Sequence, residues 1–126
     1  MGSKTYEKAL TLIGGIDNNM PTFVVTRRHL VVPAGADVTF YHEDLPGLAE
    51  KAIATSGKDV WLVGGGELAQ SFFKLGLIDT IILSTIPIIL GSGIPLFGLV
   101  EKEIRCKLVR SDAFESGIVQ NHYIVS

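Results

Sequence analysis

The chain has one cysteine in 126 residues, so no disulfide can close within it and a disulfide-stapled scaffold is excluded. Charge is sparse too: 19% of residues are charged, 11 basic against 13 acidic, and the sequence pI is near 5.9. Without a long Lys/Arg run or a global positive field there is little to attract a phosphate backbone, which argues against nucleic acid as a partner. The chain does not open on the basic, apolar, small-residue pattern of a secretory signal, and together with the lone thiol this sets the expectation of a reducing cytoplasm. What the chain has in quantity is apolar surface. At 47% hydrophobic residues it is far from the profile of a disordered protein, and its length suits one domain.

The lone cysteine, Cys106, falls with Ile104 and Leu108 on one half of an alternating pattern whose other half is Glu103, Arg105 and Lys107. That alternation predicts a strand with the thiol in the core rather than a nucleophile. The longest uncharged stretch, residues 80–100, has the length of a membrane span. Pro87, Pro95, Gly91, Gly93 and Gly98 would break such a helix, and Thr80-Ile-Ile-Leu-Ser-Thr-Ile86 is rich in β-branched residues. The stretch therefore reads as a buried strand followed by a loop, with no membrane association.

Periodicity and punctuation place the remaining elements. Ser3 can cap a helix with Tyr6, Ala9, Leu10 and Ile13 on its apolar face, ended by Gly14-Gly15. Pro21-Thr-Phe-Val-Val-Thr26 and Val38-Thr-Phe-Tyr41 read as strands on either side of the Pro33-to-Gly35 turn. Asp44 can cap a second helix, with Leu45, Leu48, Ala49, Ala52 and Ile53 inward and Gly57 as its stop. Asp59-Val-Trp-Leu-Val63 reads as a buried strand, and Gly64-Gly-Gly66 turns it into a helix that carries Leu68, Ala69, Phe72, Phe73 and Leu75 inward and closes at Gly76. Two alternating runs, residues 103–114 and 117–125, meet at Glu115-Ser116-Gly117 as an antiparallel hairpin. Apolar strands alternating with helices predict an α/β domain: a mostly parallel sheet with helices on both faces and a C-terminal antiparallel hairpin at one edge.

Three places carry candidate chemistry. At Val63-Gly64-Gly65-Gly66-Glu67-Leu68 a strand runs through glycines into a helix, where free N–H groups and bare backbone suit a pyrophosphate; a tight turn needing glycine only for its dihedrals gives the same letters. Gly64-x-Gly66-x-x-Ala69 also matches the common dinucleotide fingerprint, but the next strand passes through Ser84 and Thr85 to Pro87 without the acid that would hold a ribose. Thr26-Arg27-Arg28 lies at the carboxyl end of a strand, where two guanidiniums can grip the extra phosphate of NADP or simply sit in solvent. Gly2-Ser3-Lys4-Thr5 is a further helix N-terminus. His29, His42 and His122 lack metal-site spacing, so no metal is expected, and Glu43-Asp44 suits a helix start better than acid–base work.

Taken in order, Met1-Gly-Ser-Lys-Thr-Tyr-Glu7, Phe23-Val-Val-Thr-Arg-Arg28, Val60-Trp-Leu-Val-Gly-Gly-Gly-Glu-Leu68 and Ile86-Pro-Ile-Ile-Leu-Gly-Ser-Gly-Ile-Pro-Leu-Phe97 resemble the dihydrofolate reductase-like superfamily. The branch they most resemble is the reductase domain of the bifunctional riboflavin-biosynthesis deaminase-reductase. The resemblance covers essentially the whole chain and implies that the three candidates form one NADPH site. Gly2, Ser3, Lys4, Thr5, Thr26, Arg27 and Arg28 would meet the adenosine phosphates, and Gly64, Gly65, Gly66, Glu67 and Leu68 the pyrophosphate and nicotinamide side. It implies a cytoplasmic homodimer that reduces a small heterocyclic substrate, a pterin or pyrimidine-like ring, at a CH–NH or CH–OH type group. No catalytic residue is identified.

Three departures from the pattern carry expectations. Ser3 replaces an arginine of the family's Gly-Arg-Lys-Thr, which lowers the expected grip on phosphate. Gly64 stands where riboflavin-pathway reductases carry an acid. The family's opening strand, Ser-x-Asp-Gly-like segment and helix have no counterpart here, and that strand lies between those equivalent to residues 60–63 and 81–86. Its absence should leave a gap or force those two to pair, and leaves open a non-catalytic nucleotide-binding or assembly module as the alternative. Met1 is expected to correspond to an internal methionine of a longer pattern. Sequencing the DNA upstream should then reveal an in-frame Ser-x-Asp-Gly-like segment, and an upstream frame without one would refute this.

Overall fold

The computed structural model of the chain describes residues 1–16 and 19–126. The elements run in the order α1 (Ser3–Leu12), β1 (Thr22–Val25), β2 (Val38–Tyr41), α2 (Leu45–Ser56), α3 (Gly66–Lys74), β3 (Thr80–Thr85), β4 (Cys106–Ala113) and β5 (Val119–Val125).

Local chemistry explains most of these boundaries. Asp44 accepts a hydrogen bond from the Gly47 N–H at 3.1 Å and so caps α2, while Gly57 stops it in the left-handed conformation at φ 61°. Asp44 is itself left-handed at φ 48°, a conformation that Asp tolerates better than most residues. The first helix differs from expectation. Its N-cap is Gly2 with no side-chain cap, so Ser3 is the first helical residue rather than the cap.

The sheet is in two pieces, and this corrects the mostly parallel sheet expected from the sequence. β1 and β2 pair in parallel, while β3, β5 and β4 form an antiparallel set in the order β3-β5-β4. The C-terminal hairpin is as expected, turning through a Gly117 N–H that donates to the Phe114 carbonyl at 2.8 Å. Residues 59–63, expected as a buried strand, are not one: among the described residues no backbone hydrogen bond involves them. A strand is defined by its pairing, and among the described residues this run has none. Only Met1 and Gly2 extend along the free edge of β1, with the Val25 N–H donating to the Met1 carbonyl at 2.9 Å and a parallel bridge from Gly2 to Val25.

The core is accordingly small. Tyr6 of α1, Val24 of β1, Leu48 and Ala52 of α2 and Phe72 of α3 are buried. Tyr6 is the hub: its hydroxyl donates to the Val31 carbonyl at 2.7 Å and its ring meets Phe40 edge-on at 6.1 Å. On the other piece of sheet little covers the strands. β4 is an outer strand with most of its residues exposed, so Cys106 is exposed rather than in the core. The alternation was real, but no layer packs against its apolar side. After β3, residues 86–100 form an apolar loop as expected, with Ile89 99% and Ile94 93% exposed. Among the described residues no helix is long and apolar enough to cross a membrane.

Tyr6→Phe keeps the ring contact and removes the bond to Val31. It should lower stability by about 0.5–1.5 kcal/mol in a urea titration. An unchanged midpoint would show that the hydroxyl contributes nothing to the hub.

Candidate functional site

The site is built where two helices begin side by side. At α1 the first helical bond runs from the Tyr6 N–H to the Gly2 carbonyl at 3.0 Å, which leaves the N–H groups of Ser3, Lys4 and Thr5 without an intrahelical acceptor. At α3 the N–H groups of Leu68 and Ala69 both donate to the Gly65 carbonyl, at 3.1 and 3.3 Å, which leaves those of Gly66 and Glu67 open. Neither start has a side-chain cap. The two ends adjoin: a side-chain carbon placed on Gly64 would lie 3.3 Å from the Gly2 nitrogen, and Leu68 reaches both glycines. Lys4 Nζ lies 3.8 Å from Glu67 Oε1 across the junction. The result is a concentration of unpaired N–H donors and positive helix ends, an arrangement suited to a phosphate.

The three glycines have three different reasons to be glycine, and none is the dihedral one. None of Gly64, Gly65 and Gly66 has a positive φ. Gly64 lets the two helix starts approach. Gly66 packs under the loop after β3, where an added carbon would stand 3.2 Å from the carbonyl oxygens of both Pro95 and Leu96. Gly65 faces open space, with nothing within 4 Å of an added carbon. Bare backbone offered to a ligand is therefore a property of Gly65, while Gly66 serves packing. The contact at Gly66 belongs to a longer strap that sequence reading missed. Gln70 donates to the Leu99 carbonyl, Phe73 meets Phe97 edge-on at 5.3 Å, and Lys74 pairs with Glu101 at 3.1 Å. Residues 66, 70, 73 and 74 fall at helical spacing on one face of α3, and that spacing was the available signal.

The basic strand end joins the same region through α1. Thr26 continues the β1–β2 ladder, its N–H donating to the Tyr41 carbonyl at 2.8 Å, and its hydroxyl accepts from the Arg28 N–H at 3.0 Å. Arg28 is not free: its guanidinium grips both carboxylate oxygens of Glu7, at 3.2 and 2.7 Å. That hydrogen bond first, and the charge of Glu7 second, hold the Arg28 pKa above its already high ordinary value. Arg27 is exposed and has no ion-pair partner among the described residues. Of the twelve sequence-predicted residues, the structure brings Gly2, Ser3, Lys4, Thr5, Gly64, Gly65, Gly66, Glu67 and Leu68 to the helix junction. Thr26, Arg27 and Arg28 lie beside α1, and Leu68 contributes its side chain rather than a free N–H.

Comparison with known proteins identifies the family and the fold. The family model described as the RibD C-terminal domain matches residues 5–120. The uncharacterized proteins YyaP and YwjB of Bacillus subtilis (strain 168) are 40% identical over 84 residues and 37% identical over 87 residues. Those matches take in 67% and 69% of this chain but 45% and 49% of the two relatives, so the chain spans about half their length. A putative riboflavin biosynthesis protein from Shewanella sp. PV-4 superposes on the whole chain, with TM-score 0.83, 26% identity and 72% of its own chain covered. RibD from Acinetobacter baumannii shares the fold, with TM-score 0.60 at 17% identity, over 84% of this chain and 38% of its own.

Gly66→Ala pushes a carbon against two backbone carbonyls and should lower stability by about 1–3 kcal/mol. Gly65→Ser, in open space at an N-cap, should change it by less than about 1 kcal/mol. Urea titrations of the two variants side by side check this; equal losses would mean that the strap does not define the turn.

Proposed function

The chain belongs to the RibD C-terminal domain family, and from that premise we propose that it is an NADPH-binding reductase module that passes hydride to a pterin or pyrimidine-like ring. The observation that carries the reading is the junction of the α1 and α3 starts, where Gly2 and Gly64 meet. Its donors suit the cofactor: open N–H groups on two helices, bare backbone at Gly65, and the cations of Lys4 and Arg27 nearby. The N–H groups of Ser3, Lys4 and Thr5, with Thr26, Arg27 and Arg28, would hold the adenosine phosphates. Those of Gly66 and Glu67, beside Gly64 and Gly65, would hold the pyrophosphate, with Leu68 closing the junction. NADPH, when bound, supplies the hydride; the protein supplies orientation and electrostatics.

Arg28 holds its place through Glu7, so Arg27 is the cation left to recognise the phosphate that distinguishes NADPH from NADH. A cytoplasmic homodimer is part of the proposal, its second copy covering the apolar loop at residues 86–100, where Ile89 and Ile94 stand exposed. The same exposure, with the run at residues 59–63 that has no backbone partner among the described residues, favours the second reading, a non-catalytic assembly module.

Titration with NADPH and then NADH, followed by the fluorescence of Trp61, the single tryptophan, tests the proposal. Saturable quenching is expected with both and tighter with NADPH. Arg27→Ala should weaken NADPH by about tenfold and leave NADH nearly unchanged, as for loss of one charge-assisted hydrogen bond. No saturable change in a folded sample, with a mass that rises with concentration, would favour the assembly module.

A further inference from the structure

Arg28 and Arg27 stand side by side at the end of β1, yet only one of them is held by a carboxylate. Arg28 Nη1 and Nη2 donate end-on to Glu7 Oε1 and Oε2 at 3.2 and 2.7 Å, so both terminal nitrogens are engaged and the charge of the guanidinium is met within the chain. Arg27 has no ion-pair partner among the described residues. The backbone beside Arg28 is also fastened by other means. The Thr26 N–H donates to the Tyr41 carbonyl at 2.8 Å, the Arg28 N–H donates to the Thr26 hydroxyl at 3.0 Å, and Gly2 bridges to Val25. The ion pair therefore decides where the Arg28 side chain goes more than where its backbone lies. With Arg28 at 55% and Glu7 at 45% side-chain exposure, it is a pair in contact with water, which contributes little and can be exchanged for another anion.

Glu7 follows Ser3 by four positions in α1, so it lies on the same face as Ser3 and one turn beyond the open N–H groups of Ser3, Lys4 and Thr5. We propose that Glu7 is a positioning residue that sets cofactor specificity: it occupies Arg28 as an internal counter-ion and so holds down the preference for NADPH, which carries a 2′-phosphate, over NADH, which does not. The inference rests on the reductase reading and deepens it. A phosphate dianion at the strand end competes with the Glu7 carboxylate for one guanidinium, and part of its binding free energy goes to displacing that carboxylate. Without the carboxylate, Arg28 joins Arg27 and two cations meet the 2′-phosphate in place of one. The pyrophosphate and the nicotinamide, which the two cofactors share, feel little of this change.

The test is isothermal titration calorimetry of the full chain with NADPH, NADH and adenosine 2′,5′-bisphosphate, on the unsubstituted protein, Glu7→Gln, Arg28→Ala and the double variant. Glutamine keeps the size of the side chain and removes its charge. Glu7→Gln should bind NADPH and the bisphosphate about three- to tenfold more tightly and NADH about as before. The gain should vanish when Arg28→Ala is added, because it is carried by that guanidinium. A gain of the same size in the Arg28→Ala background would overturn the proposal, making Glu7 a repelling charge that acts without Arg28. An equal gain for NADH would overturn it as well. Unchanged or weaker NADPH binding by Glu7→Gln would do the same, by making the pair a support that Arg28 needs. Each of these results leaves NADPH binding by the unsubstituted protein, and with it the reductase reading, in place. Absence of saturable binding of all three nucleotides to folded samples of the unsubstituted protein and of Glu7→Gln would sink the reading and this inference together.

Discussion

A run of extended backbone needs partners, and residues 59–63 have no backbone partner among the described residues, a constraint that shapes the rest of this structure. In a continuous sheet this run would tie the β1–β2 pair to the β3-β5-β4 set. Among the described residues it pairs with neither, and the sheet is in two pieces. The buried residues lie on α1, β1, α2 and α3, while Trp61, Ile82 and much of the loop at residues 86–100 stand in solvent. Burying a large apolar side chain is worth about 1.5–3 kcal/mol, so a few such residues left uncovered matter against a domain's net stability of about 5–15 kcal/mol.

The glycine turn survives the break because it is held from elsewhere. Its position is set by Gly2 on one side and by the strap of residues 95–101 along α3 on the other. The phosphate-suited junction thus rests on contacts made at the carboxyl end of the run and does not require the run itself to be paired. Site and sheet are separable here: the donors at the two helix starts are in place although the strand that leads to one of them is not formed.

Sequence legibility divides along the same line. Features fixed by nearest neighbours in the chain were readable: the Asp44 cap and Gly57 stop of α2, the Gly76 end of α3, the hairpin turn at Gly117, and the β-branched run of β3. Features that depend on a distant neighbour were not. Asp59-Val-Trp-Leu-Val63 has the composition of a buried strand, but pairing is a property of two segments. Cys106 sits on the apolar side of a true alternation that no layer covers. At the site, the residues near the two helix starts were legible from spacing. The grip of Glu7 on Arg28, 21 positions away in the chain, and the packing of Gly66 under Pro95 and Leu96 were visible only in three dimensions.

The electrostatics of the junction separate contacts that position from contacts that remain available. Lys4 and Glu67 are both largely exposed at 3.8 Å, so their pairing is weak and an incoming phosphate can take the lysine without a large loss. Arg28 differs, since a bidentate grip orients its guanidinium and commits both oxygens of Glu7. Adjacent arginines with similar sequence prospects therefore have different work. Arg28 ties the end of β1 to α1 and keeps the strand end beside the helix start, and Arg27 has no ion-pair partner among the described residues. Ser3 is uncharged, so at the start of α1 the side-chain charge is that of Lys4, and the N–H groups of Ser3, Lys4 and Thr5 stand open beside it.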